Sequence, residues 1–180
     1  MPKIGFNLLA WSAPISETMN PIAERLKTLG YDGIECFVDT QDVAAYRRFG
    51  DHLRHLNLQS TGVTVVGPDE NPASESAVVR ERAVSHLKGA VDRVAALGST
   101  VLCGPIHSAF ATFTRREPQA DEYARSAEVL HAVGEHAQQA GVVLAVEALN
   151  RFECYLCNTM TQLADLVRQY PIVTIEDGMA

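Results

Sequence analysis

The stretch GVVLAVEALNRFECY (residues 141–155) carries the clearest fold signal in this sequence. Its first half is a short apolar run rich in valine, which predicts a buried strand. Directly after that strand come two carboxylates, Glu147 and Glu153, with Asn150 and Arg151 between them. Functional groups of parallel α/β folds collect at the carboxyl ends of strands. The stretch therefore predicts a strand of a parallel sheet with a functional site at its end.

Outward from this stretch, short apolar runs alternate with amphipathic helical segments along the whole chain. Predicted strands cover residues 3–9, 32–38, 58–66, 99–104 and 141–147, and predicted helices cover about 20–30, 41–56, 75–97, 119–140 and a segment that begins at 159. Strict alternation of this kind predicts a parallel sheet with right-handed crossovers.

Several residues mark where the predicted helices begin and end. Asn20 followed by Pro21 indicates an N-cap and a first helical position. Gly98 is expected to end the third helix. Thr159 and Gln162 have the T-x-x-Q spacing of a capping box, which predicts the start of the fifth helix.

Strand spacing is compatible with either a (β/α) barrel or a doubly wound sheet. No G-x-G-x-x-G follows the first strand and no G-x-x-x-x-G-K-[ST] occurs, which removes the usual nucleotide-binding reasons for a doubly wound fold. A full barrel needs eight units and ~250 residues. The predicted fold is therefore α/β, a partial (β/α)8 TIM barrel with about five to six parallel β/α units. We expect residues 1–180 to form one incomplete barrel domain, with VTIED (173–177) as the candidate sixth strand.

Composition excludes several classes of function. A formal net charge of −7 disfavours nucleic-acid binding, which needs a surplus of Lys and Arg. No apolar run approaches the ~20 residues of a membrane span, and the opening residues lack the pattern of a cleavable signal. We expect a cytoplasmic protein with a small-molecule partner, no nucleic acid and no membrane.

The four cysteines are expected to be reduced. The Cys154-x-x-Cys157 spacing is expected to be incidental, because neither a second pair nor a suitable His follows.

The predicted strand ends supply a set of candidate site residues. They include Trp11 after the first strand, Glu35 on the second, His107 and Ser108 after the fourth, and Glu147 through Glu153 after the fifth. Trp11, Phe110 and Phe113 offer aromatic surface for the apolar face of a carbohydrate. The strand ends therefore indicate an acidic mouth that suits a sugar, with His107 as a candidate substrate contact.

At VEALNRFECYLCNT (146–159) the sequence resembles the D-tagatose 3-epimerase family of ketose epimerases, within the xylose-isomerase-like barrels. The likeness extends back through CGPIHSAFATF (103–113), TGVTVVGPDENP (61–72), YDGIECF (31–37) and KIGFNLLAW (3–11), and it covers residues 1 to about 169. The resemblance implies a sugar isomerase or epimerase, most like a ketose 3-epimerase, that moves a proton at C3 through an enediolate.

The same resemblance implies roles for individual residues. Glu147 matches a carboxylate that is both an acid/base catalyst and a ligand of Mn, Co or Mg, and Glu153 matches a contact to substrate hydroxyls. Trp11 matches a position of the pocket wall. Elementary chemistry agrees, because removing a proton beside a ketone needs a carboxylate over the C–H bond and a cation for the enediolate charge.

The chain departs from the family pattern at its end. The family continues with a sixth strand ending in Asp and a nearby His, and later supplies further ligands and a second catalytic Glu. Here the sequence reads YPIVTIEDGMA, Asp177 falls one residue early, and no His follows. We therefore expect a chain that is truncated after its fifth unit and inactive by itself, with doubtful metal binding.

Other functions remain open from sequence alone. A hydroxypyruvate isomerase or an inosose dehydratase would use related chemistry on the same barrel. A non-catalytic α/β fragment that binds a sugar or a partner chain is a second class, because an unclosed sheet leaves strand edges uncovered. A metal-dependent phosphodiesterase is disfavoured by the acidic balance. A homo-oligomer is compatible with each of these readings.

Overall fold

The computed structural model describes residues 2–39, 42–169 and 174–176, and its central feature is a sheet of six parallel strands in sequential order. These strands are β1 (Gly5–Asn7), β2 (Gly33–Phe37), β3 (Gln59–Val63), β4 (Val101–Gly104), β5 (Val143–Glu147) and β6 (Thr174–Glu176). A doubly wound sheet would reverse its strand order at a switch point. The order β1 to β6 without reversal is that of a barrel wall, so the predicted partial barrel is confirmed.

Helices connect the strands as the alternation predicts. They are α1 (Asn20–Thr28), α2 (Val43–His55), α3 (Ala77–Leu97), α4 (Ala120–Gln139) and α5 (Met160–Gln169), with 3-10 turns at Leu8–Ala10, Glu17–Met19 and Pro68–Glu70. Helices therefore cover one face of the sheet, and the other face points into the barrel.

Most of the predicted helix boundaries are confirmed. Gly98 caps α3 in the left-handed conformation with φ 81°, where a side chain would be strained. Thr159 and Gln162 form the predicted capping box. The main-chain N–H of Gln162 donates to Thr159 Oγ1 at 3.2 Å, and the main-chain N–H of Thr159 donates to Gln162 Oε1 at 3.1 Å. The N-cap predicted at Asn20 is wrong, because the turn Glu17–Met19 runs directly into α1 and makes Met19 the cap.

Alternation along the strands separates the two faces of the sheet. Ile34, Cys36 and Val38 are buried and belong to the hydrophobic core, which also includes the buried faces of α2, α3 and α4. Gly62 of β3 lies against α3, where an added Cβ would stand 2.5 Å from a Val94 methyl group. Strand and helix therefore approach closely because this position has no side chain.

The opposite face carries polar groups that connect four strands through one carboxylate. Glu35 of β2 accepts hydrogen bonds from Asn7 Nδ2 of β1 (2.7 Å), Thr61 Oγ1 of β3 (3.2 Å) and Cys103 Sγ of β4 (3.2 Å). Parallel register places Asn7, Glu35 and Thr61 side by side. The barrel interior is therefore polar near the carboxyl ends of its strands.

Within the described ranges 2–39, 42–169 and 174–176, no helix combines the length and the apolar character needed to cross a membrane.

The close approach of α2 and α3 generates a stability prediction. A Cβ on Gly50 would stand 2.1 Å from the Leu97 carbonyl oxygen, so Gly50→Ala must push the two helices apart and should lower the free energy of unfolding by about 1–3 kcal/mol. Gly134→Ala is the matched control, since that position in α4 has nothing within 4 Å, and it should raise the free energy by about 0.4–1 kcal/mol. Urea unfolding of both variants measures the difference, and equal effects would contradict the described packing.

Candidate active site

Glu147 is the last residue of β5 and lies at the carboxyl end of the sheet. Register places Ala145, two residues earlier, beside Cys103, whose thiol donates to Glu35 on the inner face. Because side chains two apart on a strand share a face, Glu147 points to the barrel interior. Its side chain is partly exposed. The structure thus places this carboxylate at the edge of the sheet where the functional groups of parallel barrels collect.

Glu153 lies on the loop that follows β5, and its neighbours hold it in place. The Glu153 amide donates to the Asn150 carbonyl at 3.0 Å, and Asn150 Nδ2 donates to the Glu153 carboxylate. The Ala111 amide donates to the Glu153 carbonyl at 2.8 Å. In the described part of the chain the carboxylate pairs with Asn150, and no ion pair with the exposed Arg151 is present. Glu153 is therefore fixed and still partly open to solvent.

The remainder of this loop is anchored to α4 by two tyrosines. Tyr155 donates its hydroxyl to Glu122 Oε1 at 2.9 Å, and Tyr123 of α4 donates to the Leu156 carbonyl at 2.7 Å. Asn158 Nδ2 bridges the start and the middle of the loop, donating to the Leu149 carbonyl at 3.0 Å and to the Cys154 carbonyl at 2.6 Å. The site loop is thus tied to rigid elements at several points.

His107, predicted as a substrate contact, lies behind the site loop. Its side chain has no exposed surface, and its ring hydrogen-bonds to the main-chain carbonyl of Glu147. Burial lowers the pKa of His107 to about 4, and this hydrogen bond opposes the shift only in part, so the imidazole is neutral at neutral pH. Loop residues cover this buried ring, so its described neighbours are protein groups. Direct contact of His107 with a substrate stays a prediction.

Trp11, predicted as a wall of the pocket, lies beyond β1 on the same edge of the sheet. It is 51% exposed and packs against Phe6, with ring centroids 4.8 Å apart and the ring planes tilted by 43°. Asn7 caps the 3-10 turn between β1 and Trp11, since its Oδ1 accepts from the Leu9 amide at 2.8 Å. Three strands separate β1 from β5. Trp11 and the two glutamates therefore occupy different parts of one rim.

Two features of the site were not predicted from sequence. One is the Glu35 network across β1 to β4, for which the only signal was a carboxylate on an otherwise apolar strand. The other is Glu122, which is buried at the start of α4 and pairs with Arg116 at 2.7 Å. Its signal was the Q-x-x-E spacing of Gln119 and Glu122, which form a capping box.

The four cysteines are reduced and buried, as the cysteine pattern predicts. Burial raises the pKa of the Cys157 thiol to about 12, so this thiol is protonated and unreactive at neutral pH.

The described residues do not complete a metal site. Among residues 2–39, 42–169 and 174–176 no three His, Cys, Asp or Glu side chains are grouped so that they would hold a metal ion. Glu147 offers one donor of the expected set, and Asp177 lies outside the described residues. A single carboxylate does not hold a divalent ion at a catalytic site, where three or more protein ligands are usual.

Residues 23–173 match the family model described as Xylose isomerase-like TIM barrel. The chain belongs to this family. A D-psicose 3-epimerase from Agrobacterium fabrum is 26% identical over 166 residues, which cover 89% of this chain and 57% of that relative. An L-ribulose 3-epimerase from Mesorhizobium japonicum is 30% identical over 167 residues, which cover 90% of this chain and 54% of that relative.

A solved structure of an L-ribulose 3-epimerase superposes with a TM-score of 0.87 at 26% identity, covering 98% of this chain and 60% of that chain. The predicted resemblance to ketose 3-epimerases of the xylose isomerase-like barrels is confirmed by these matches. The chain spans little more than half the length of these curated relatives.

Glu122 generates a pH prediction for the site loop. Burial works to raise the pKa of Glu122, but hydrogen bonds from the Gln119 amide, Arg116 and Tyr155 outweigh it and hold this pKa below its usual range. A lowered folded-state pKa stabilises the protein above the ordinary carboxyl pKa of about 4.3, and this contribution is lost as pH falls through the folded value. Glu122→Gln should therefore lower the free energy of unfolding by about 1.5–3 kcal/mol at pH 7, the usual cost of charge-assisted bonds.

Urea unfolding from pH 7 downward tests this expectation. The difference between wild type and Glu122→Gln should shrink as pH falls below about 4. Glu128→Gln, which alters an exposed carboxylate on the same helix, should have little effect at any pH. A difference for Glu122→Gln that persists unchanged at the lowest pH would contradict the ionised network.

Proposed function

We propose that this protein is a sugar epimerase that acts on a free ketose at C3. The observation that carries the proposal is the placement of Glu147 at the end of β5 on the inner face, with Glu153 fixed on the following loop. The chain belongs to a barrel family, and the relatives it is similar to are ketose 3-epimerases. Each of these two carboxylates has a distinct role in the proposed chemistry.

Glu147 is the proposed acid/base group. Inverting a carbon beside a ketone begins with removal of its proton, which leaves an enediolate, and ends when a proton is returned to the opposite face. A carboxylate on rigid β5, facing the interior, suits the first of these transfers. Glu153, held by Asn150 and by the Ala111 amide, is the proposed acceptor for substrate hydroxyls.

A divalent ion would stabilise the developing enediolate charge in this chemistry, and we propose that activity requires Mn, Co or Mg. Among the described residues, Glu147 would be one of its ligands. A cytoplasmic location, homo-oligomer formation, and the lack of nucleic-acid and membrane partners stay predictions.

A second candidate function is sugar binding without turnover. The incomplete donor set among the described residues favours it, because a barrel can present hydroxyl-binding groups without a catalytic ion. Ketose binding with no conversion by the full chain would identify this second function.

An epimerisation assay tests the proposal. The purified chain, supplied with Mn, is incubated with D-tagatose, D-fructose or L-ribulose, and the sugars are separated by chromatography. If the chain is inactive by itself, as the sequence predicts, calorimetry should still detect ketose binding. If it turns over, Glu147→Gln should reduce turnover by roughly 10²–10⁴-fold, the usual effect of losing an acid/base group, and should leave ketose binding measurable.

Glu153→Gln should instead raise KM, since it weakens a hydroxyl contact. Glu128→Gln, an exposed carboxylate far from the strand ends, is the matched control and should behave as wild type. Turnover that is unaffected by Glu147→Gln would refute the assigned role of Glu147.

A further inference from the structure

The first part of the segment between β4 and α4, residues 105–111 and hereafter the β4 loop, is unusual because most of it is buried. His107, Ser108 and Ala109 have no exposed surface. Connecting segments usually run over the surface, since buried backbone and side-chain polar groups need partners. The contacts of this loop extend to both glutamates of the site.

Its first contact fixes the end of β5. The His107 ring hydrogen-bonds to the main-chain carbonyl of Glu147. The carbonyl is an acceptor only, so the ring nitrogen that faces it carries the proton. Around the same ring, the Ser108 hydroxyl lies 3.2 Å from Nδ1 and Cys154 Sγ lies 3.7 Å from Nε2. A buried ring held among these partners restrains the main chain at Glu147.

A second set of contacts fixes Glu153. Ser108 Oγ lies 3.0 Å from Cys154 Sγ, immediately beside Glu153 in the chain. The Ala111 amide donates to the Glu153 carbonyl at 2.8 Å. Ala111 holds this geometry with φ 53°, in the left-handed region that a residue with a Cβ rarely adopts. The loop thus reaches both sides of Glu153.

The β4 loop is itself anchored to parts of the fold other than β5. Ser126 of α4 donates its hydroxyl to the His107 carbonyl at 2.6 Å. The Phe110 amide donates to the Val66 carbonyl at 2.8 Å, beyond the end of β3. The Ala109 amide donates to Asn71 Oδ1 at 3.1 Å. A loop held independently by α4 and the β3 end can act as a fixed reference for the segment after β5.

We propose that the β4 loop sets the relative position of Glu147 and Glu153, with His107 and Ser108 as positioning residues. His107 fixes the first glutamate through its backbone, and Ser108 fixes the second through Cys154. The inference rests on the proposed function in so far as the two glutamates act on a ketose. The placement of the loop against Glu153 is testable without any sugar.

The simpler explanation is that these buried polar groups only stabilise the fold. Ser99 separates the two explanations, because it is a buried serine at the opposite end of the same strand region. Its hydroxyl donates to the Ser60 carbonyl at 2.8 Å, far from the site loop. Ser99→Ala and Ser108→Ala each remove one buried hydroxyl, and only the second removes a contact to residue 154.

Hydrogen exchange of the Ala111 amide, followed by NMR, is the direct readout. Ser108→Ala should speed this exchange about tenfold relative to wild type, because the Glu153 carbonyl that accepts from the Ala111 amide is less well held. The free energy of local opening should fall by about the energy of one hydrogen bond. Ser99→Ala should leave the exchange rate of the Ala111 amide unchanged. Urea unfolding measures the global stability of both variants, so that exchange through global unfolding can be subtracted. Equal exchange in the two variants would overturn the proposal.

A second pair of variants guards against a folding failure in the first. Cys154→Ser keeps a group that pairs with the Ser108 hydroxyl, whereas Cys154→Ala removes it. The Ala111 amide should stay protected in the serine variant and exchange faster in the alanine variant. Because Cys154 Sγ also lies 3.7 Å from His107 Nε2, this pair tests the whole contact of the β4 loop with residue 154, and identical protection in both variants would overturn it.

Kinetics then address the link to the reaction. With turnover present, Ser108→Ala should raise KM with little change in kcat, since it disturbs Glu153. His107→Leu should lower kcat, and His107→Gln, which retains an N–H donor, should recover part of that loss in kcat. The reverse split would overturn the assignment. A wild-type chain that neither binds nor converts a ketose would refute the proposed function, and the exchange experiment would still decide the positioning claim.

Discussion

Parallel pairing of each strand with the strand before it is the constraint on which the rest of this structure depends. Every described crossover returns the chain to the same end of the sheet, so all carboxyl ends lie along one edge. Residues far apart in sequence, such as Trp11, His107 and Glu147, reach this edge for that reason alone. No side-chain interaction could gather them without the common strand direction.

The inner face shows how polar groups become compatible with such a sheet. A carboxylate between apolar strands costs free energy unless donors surround it. Glu35 receives three donors, one each from β1, β3 and β4, so its oxygen atoms have partners from three other strands. The same carboxylate orients Asn7, which caps the turn leading to Trp11. Polarity in the barrel interior thus also orders its rim.

Rigid support of the site loop follows a related logic. Loops that carry functional groups must resist the entropy of a flexible chain to hold those groups in one geometry. Here the loop after β5 buries Leu156 and Cys157 in the hydrophobic core, and hydrogen bonds to Glu122, Tyr123 and the β4 loop add further restraint. These partners come from the preceding β/α unit. Neighbouring units of the barrel therefore stabilise each other's loops as well as each other's strands.

Much of the architecture follows from local pattern. Apolar runs and helical stripes are short-range signals, and so are the Gly98 cap and the Thr159 capping box. Each of these signals depends on neighbours within a few residues, so together they predicted the order and type of the strands and helices. The strand carrying Glu147 was predictable for the same reason. Asn20 was assigned the wrong capping role because the competing 3-10 turn before it has no strong sequence signature.

The sequence by itself determined the alternation of strands and helices, the family resemblance and the strand-end position of both glutamates, because these are encoded in local periodicity and short motifs. Only the tertiary structure decided that His107 is buried behind Glu147, that Ser108 reaches Cys154, and that Glu35 joins four strands. Those contacts link residues tens of positions apart. Their geometry depends on strand register and loop path, and neither leaves a periodic trace in the chain.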